Sequence, residues 1–95
     1  MTVGVLRIRL RLPARSLKEK RTIVKSVVER VRARFNASAA EVDDADTWDR
    51  ATIGVVVVSN DRRHADSQLQ EIAGAITGWR LDAEVLDVET ELIAV

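Results

Sequence analysis

The chain has 95 residues, with fifteen basic and fifteen acidic side chains, 46% hydrophobic residues and no cysteine, which fits one domain. A chain this short buries about 60–65% of its unfolded surface, enough for one core and too little for a deep private cleft. The composition excludes a disulfide framework and a cysteine-held zinc, and no apolar run approaches the ~18 residues of a helical membrane span.

The first residues alternate with arginine, unlike a signal peptide, so the expected setting is cytoplasmic, away from membranes. The net charge of zero conceals a division. Residues 1–36 carry eleven basic side chains against Glu19 and Glu29, and the remainder carries four against thirteen carboxylates. Such asymmetry means either a basic binding surface or two halves that neutralise one another on folding.

Taken in chain order, Thr2 to Leu12 alternates, with Leu6, Ile8, Leu10 and Leu12 on one side and Arg7, Arg9 and Arg11 on the other. Period two predicts a strand with one buried face. Pro13 ends it, because proline cannot donate to a ladder. Ser16-Leu17-Lys18-Glu19 reads as a capping box at the start of a helix. Leu17, Ile23, Val24, Val27, Val28, Val31 and Phe35 then share one arc at about 100° per residue, which predicts an amphipathic helix to Asn36.

Ala37 to Asp43 reads as a weaker strand, followed by a polar connection, Asp44 to Asp49, that holds Trp48. Ala51 to Ser59 contains four consecutive valines, Val55 to Val58, apolar on both faces as a central strand requires. Asn60 or Asp61 caps a second helix with Ala65, Leu69, Ile72, Ala73 and Ile76 on its inner face. Gly78 is the expected left-handed stop, with Trp79 folding back after it. Leu86, Val88, Thr90 and Leu92 alternate with Asp87, Glu89 and Glu91 in a final strand.

Strand, helix, strand, strand, helix, strand is the ferredoxin-like α+β pattern. It predicts a four-stranded antiparallel sheet of order 4-1-3-2 with both helices on one face, spanning residues 1–95 as a single domain. In that order the first and last strands are neighbours. Period-two geometry predicts a register of Arg7 opposite Glu91, Arg9 opposite Glu89 and Arg11 opposite Asp87 on the face away from the helices.

Ser16-Leu17-Lys18-Glu19-Lys20-Arg21, Ala40-Glu41-Val42-Asp43, Trp48, Arg50-Ala51 and Ser59-Asn60-Asp61 together resemble the YlxP-like family of small bacterial proteins, over nearly the whole chain. The resemblance implies a ferredoxin-like fold. It also implies a role near the ribosome, because family genes often lie beside those for translation initiation factors and ribosome-binding factor A. It carries over no catalytic residue.

From the residues themselves, the candidate site is the basic face of the first helix. Lys18, Arg21, Lys25 and Arg32 form a stripe beside the apolar arc, Arg15 precedes the helix, and the helix N-terminus favours an anion. The competing reading is a solvated face, with Arg30, Arg32 and Arg34 complementing the helix C-terminus. Lys20 falls inside the apolar arc, where an unpaired charge is costly. It snorkels, reaches a ligand phosphate, or pairs with Glu41, Asp43 or Asp49, which the topology brings to the same end.

Glu41, Asp43, Asp44, Asp46 and Asp49 lack the glycine and distal glutamate of a calcium loop, so they read as a solvated acidic turn. Trp48 is expected to pack against the sheet end, and His64 to be a surface histidine. Small acylphosphatases share the fold, but their phosphate cradle needs a glycine-rich loop, and here the loop is Pro13-Ala14-Arg15.

No cofactor, metal, small-molecule substrate or catalytic constellation is indicated. The strands carry no aromatic side chains on which RNA bases could stack. The leading expectation is a non-enzymatic module that engages RNA or a ribosomal particle through the first helix. The alternative is a homodimeric interaction domain that associates through its open sheet or an edge strand.

Overall fold

In a computed structural model, which describes residues 1–79 and 82–95, the chain forms β1 (Thr2–Arg11), α1 (Leu17–Arg34), β2 (Ser38–Asp43), β3 (Arg50–Ser59), α2 (Arg62–Gly78) and β4 (Glu84–Ala94). The four strands make one antiparallel sheet in the order β2-β3-β1-β4, the expected 4-1-3-2 arrangement read from the other edge. The alternation in β1 sends Leu6, Ile8 and Leu10 into the core, continued by Leu12, and leaves Arg7, Arg9 and Arg11 on the opposite, uncovered face.

In β3, Ala51, Ile53, Val55 and Val57 join the core, while Val56 and Val58 face outward. Val24, Val27, Val28 and Val31 of α1 and Ala65, Leu69, Ile72 and Ile76 of α2 close the core from the helix side. Helix α1 lies over β2 and β3; α2 lies over β1, β3 and β4. At about 25 cal/mol per Å² of apolar surface removed from water, this one contiguous core is the main source of stability.

The helix ends obey local chemistry, with two departures from expectation. Ser16 Oγ accepts from the Glu19 amide at 3.2 Å, the serine half of the capping box. The Glu19 carboxylate, however, accepts from the amide of Arg15 at 2.6 Å rather than from that of Ser16. Asp61 caps α2 through the Arg63 amide at 3.0 Å. Gly78 is not a left-handed stop. It is the last helical residue, no glycine has positive φ, and the extended Trp79 (φ −72°) ends the helix. Its amide reaches the carbonyls of Ala75 and Ile76, and its ring packs against the core as expected.

The register between β1 and β4 also departs from expectation. Arg7 lies opposite Glu89, Arg9 opposite Asp87 and Arg11 opposite Glu84. The whole ladder is slipped by two residues, and an irregularity at Leu86 shifts it further beyond Arg9. A bulge leaves one residue unpaired and changes the pairing beyond it. Val85 therefore takes the place opposite Leu10, and Leu86 drops out of the ladder. The expected faces are kept, since the arginines and their acidic neighbours remain on the uncovered side.

Candidate nucleic-acid interface on helix 1

Arg15, Lys18, Arg21, Lys25 and Arg32 are all solvent-exposed, as a stripe beside an apolar arc requires. Their surroundings separate them. Among the described residues, Lys25 has a carboxylate nearby, Glu29 one turn on at 3.9 Å, a long and exposed pair of little strength. Arg32 donates to the Ala39 carbonyl of β2 at 2.7 Å, so its guanidinium ties helix to sheet. The side chains of Arg15, Lys18 and Arg21 form no ion pair among the described residues.

The helix N-terminus is not an open anion site. The carboxylate of Glu19 lies there against the Arg15 amide and would meet an incoming phosphate with like charge. The cations available to a ligand therefore lie along the flank of α1, not at its tip.

Lys20 leaves the candidate set. It is 1% exposed, and its ammonium donates to the carbonyls of Asp44 and of Thr47, the latter at 2.6 Å. The Glu41 carboxylate stands 2.9 Å away. The two carbonyls take two of the three ammonium protons, and Glu41 supplies the opposite charge. Burial of a charge is tolerated when it is paired and hydrogen-bonded, and all three partners come from β2 and the turn after it. Lys20 thus serves the structural role weighed for it, with Glu41 as the partner; Asp43 and Asp49 are not engaged.

Asp44, expected in a solvated acidic turn, is instead partly buried and engaged by its neighbours. It adopts a left-handed conformation (φ 62°), which aspartate tolerates better than most residues. Its carboxylate accepts from the Thr52 hydroxyl at 2.9 Å and lies 4.0 Å from Arg9 Nε. The signal was present in the Asp43-Asp44 pair at the start of a turn.

Trp48 is more exposed than expected, at 50%, and stands outside the core cluster. Its neighbours hold it there: the Thr47 carbonyl is taken by Lys20, and the Asp49 carbonyl accepts from the Leu12 amide at 2.8 Å. Arg50, Arg62 and Arg63 lie outside the stripe, and His64 is exposed in the first turn of α2. Among the described residues no three histidine, cysteine or carboxylate groups gather as metal ligands.

The sheet face opposite the helices is divided. At one end Val3, Val5, Val56, Val58 and Ile93 are adjacent through the registers of β1, β3 and β4. At the other, Arg7 meets Glu89 at 3.9 Å and Arg11 meets Glu84 at 3.3 Å. Opposite charges thus neutralise much of that end.

The fold and these surfaces define a small ferredoxin-like protein with an exposed basic helix flank and an uncovered, largely self-neutralised sheet. The chain belongs to the family described as "Protein of unknown function (DUF503)", which matches residues 3–90. "Uncharacterized protein YlxP" of Bacillus subtilis (strain 168) is 40% identical to it over 66 residues, covering 70% of this chain and 72% of that one.

Two solved structures share the architecture. The designed protein LFR1 1, described as having a ferredoxin fold, aligns over all of this chain and 87% of its own with a TM-score of 0.56 and 18% identity. The designed protein Foldit4 aligns over 98% of each chain with a TM-score of 0.54 and 16% identity. At such identities these likenesses show the fold alone.

Proposed function

We propose that this protein is a non-enzymatic cytoplasmic module that binds RNA or a ribosomal particle through the exposed flank of α1. The observation that carries this reading is the exposed run Arg15, Lys18, Arg21 and Lys25, in which Lys25 has a single loose carboxylate neighbour. Folding has matched the β1 arginines with carboxylates and buried Lys20, whereas the loose Lys25–Glu29 contact is the one ion pair on this flank among the described residues. Regularly spaced cations on a rigid helix suit a phosphate backbone, and such contacts position a polyanion without reading its sequence. Contact is electrostatic here, because the sheet offers no stacking platform. The test is co-sedimentation of the folded Lys18→Glu/Arg21→Glu/Lys25→Glu variant with RNA or ribosomal particles. Loss of binding supports the reading, and undiminished binding refutes it.

A second reading has its own observation. Val56, Val58 and Ile93 stand 38%, 60% and 39% exposed in one patch on the uncovered face. Contiguous exposed apolar surface marks an interaction site, and an isologous homodimer would cover it. Salt separates the readings, since phosphate binding weakens steeply with ionic strength and apolar association does not.

A further inference from the structure

Strand β4 is an edge strand eleven residues long, paired to β1 on one side only. Its other side presents a row of backbone donors and acceptors with no strand beside it, a template for a further strand. The opposite edge, β2, is shorter, at six residues, and its register with β3 is broken between Glu41 and Asp43.

The side chains of β4 state what chemistry could pair there. On the uncovered face it carries Glu84, Asp87, Glu89 and Glu91, and it contains no basic residue. Two of these carboxylates have internal partners, Glu89 with Arg7 and Glu84 with Arg11. Asp87 and Glu91 have no ion pair among the described residues, because Arg9, opposite Asp87, turns its guanidinium towards Asp44. On the helix face Val88 is 44% exposed, although it lies opposite the fully buried Ile8. The reason is that α1 does not reach β4, and α2 alone covers this edge.

The chain already contains one strand that satisfies β4. Strand β1 sets Arg7, Arg9 and Arg11 against the acids on one face, and on the other it sets Ile8 and Leu10 against Val88 and Val85, with Leu6 opposite Thr90. A strand pairs through both of its edges in the same way, with side-chain neighbours on both sides. The free edge of β4 therefore calls for the same pattern a second time: basic side chains at alternate positions and apolar ones between them.

A second copy of this chain does not supply that pattern. Pairing β4 with β4 opposes acid to acid, and like charges across strands are destabilising. In another copy β1 is central, with both edges used, and β2 carries Glu41 and Asp43 but no cation. Acidic residues thus block the edge against its own kind while leaving it complementary to a strand of opposite charge.

We propose that β4 is a docking edge for an extended segment of another protein that alternates arginine or lysine with apolar residues, added to the sheet as a fifth strand. The recognition is β-addition: main-chain hydrogen bonds give affinity and alternate side chains give specificity. Asp87 and Glu91 take the partner's cations, and Val88 takes an apolar side chain between them. This surface lies on the sheet and is independent of the α1 flank, so the two proposals stand or fall separately.

The experiment titrates this protein into fluorescein-labelled synthetic peptides and reads anisotropy. The probe is a peptide with the sequence of residues 4–12; one control replaces its arginines by glutamate, and another keeps its charge but N-methylates alternate backbone amides. Saturable binding of the first peptide is expected, with slowed amide exchange confined to β4. Binding should weaken about tenfold in Asp87→Lys/Glu91→Lys and by less in the milder Asp87→Asn/Glu91→Gln, both checked for native circular dichroism. Neither control peptide should bind. Equal binding of the N-methylated peptide would reduce the effect to charge alone and overturn the proposal. So would exchange protection on β2, binding unaffected by either double variant, or no binding by the folded wild type.

Discussion

The ammonium of Lys20, in the first turn of α1, lies 2.9 Å from the carboxylate of Glu41 in β2, and it donates to the carbonyls of Asp44 and Thr47 beyond it. One side chain thus fastens the start of the first helix to the turn that carries Trp48. The pairing couples two segments more than twenty residues apart, and it removes from the basic half a cation whose partner a helical wheel cannot identify.

Replacing Lys20 by methionine is expected to destabilise the protein by about 3 kcal/mol. It strands two carbonyls and leaves Glu41 facing an apolar group, near the low end for breaking a buried pair because Glu41 keeps some solvent. For a domain of this size that is a fall in midpoint of more than about 10 °C, read by thermal denaturation. The double variant Lys20→Met/Glu41→Leu should recover part of the loss, as measured by a double-mutant cycle.

Gly54 is fixed by a close approach rather than by its backbone angle. A Cβ there would stand 2.7 Å from Val42 Cγ1 and 3.2 Å from Cγ2. Gly54→Ala is expected to cost about 1–3 kcal/mol through overpacking. Adding Val42→Ala should restore most of it, and denaturant midpoints of the single and double variants would show whether it does.

Four cations on the α1 flank set the salt response of the proposed RNA contact. If Arg15, Lys18, Arg21 and Lys25 each neutralise one phosphate, raising salt from 50 to 200 mM should weaken binding roughly 50- to 150-fold. Reversing Lys18, Arg21 and Lys25 should abolish binding at either salt while leaving circular dichroism native. A single reversal at Arg32 should disturb stability instead, because its guanidinium is committed to Ala39.

Association through the uncovered sheet face should depend on Val58, the most exposed of its strand valines. Sedimentation at high concentration should show a dimer whose population is insensitive to salt and which disappears in Val56→Lys/Val58→Lys. Monomer alone in the unsubstituted protein would eliminate the dimer.

Much of this structure was legible in the sequence because it is local. The alternation from Leu6 to Leu12, the helical arc of valines in α1 and the caps at Ser16 and Asp61 are decided within a few residues. The element order then leaves few topologies, and the sheet order and the side of the sheet taken by each β1 arginine follow.

The tertiary structure decided the partners. Alternation fixes the face on which a residue lies, but a slip of two residues preserves every face. Arg7 opposite Glu91 and Arg7 opposite Glu89 were therefore equally good on the page, and the irregularity at Leu86 was invisible there. The same distinction governs the candidate site. The sequence placed cations along one helix, but the path of the β2–β3 connection buried Lys20, and the Ala39 carbonyl claimed Arg32. That turn also left Trp48 exposed, held between two anchored carbonyls. Such outcomes depend on which distant backbone groups come within hydrogen-bond reach, and chain periodicity carries no information about that.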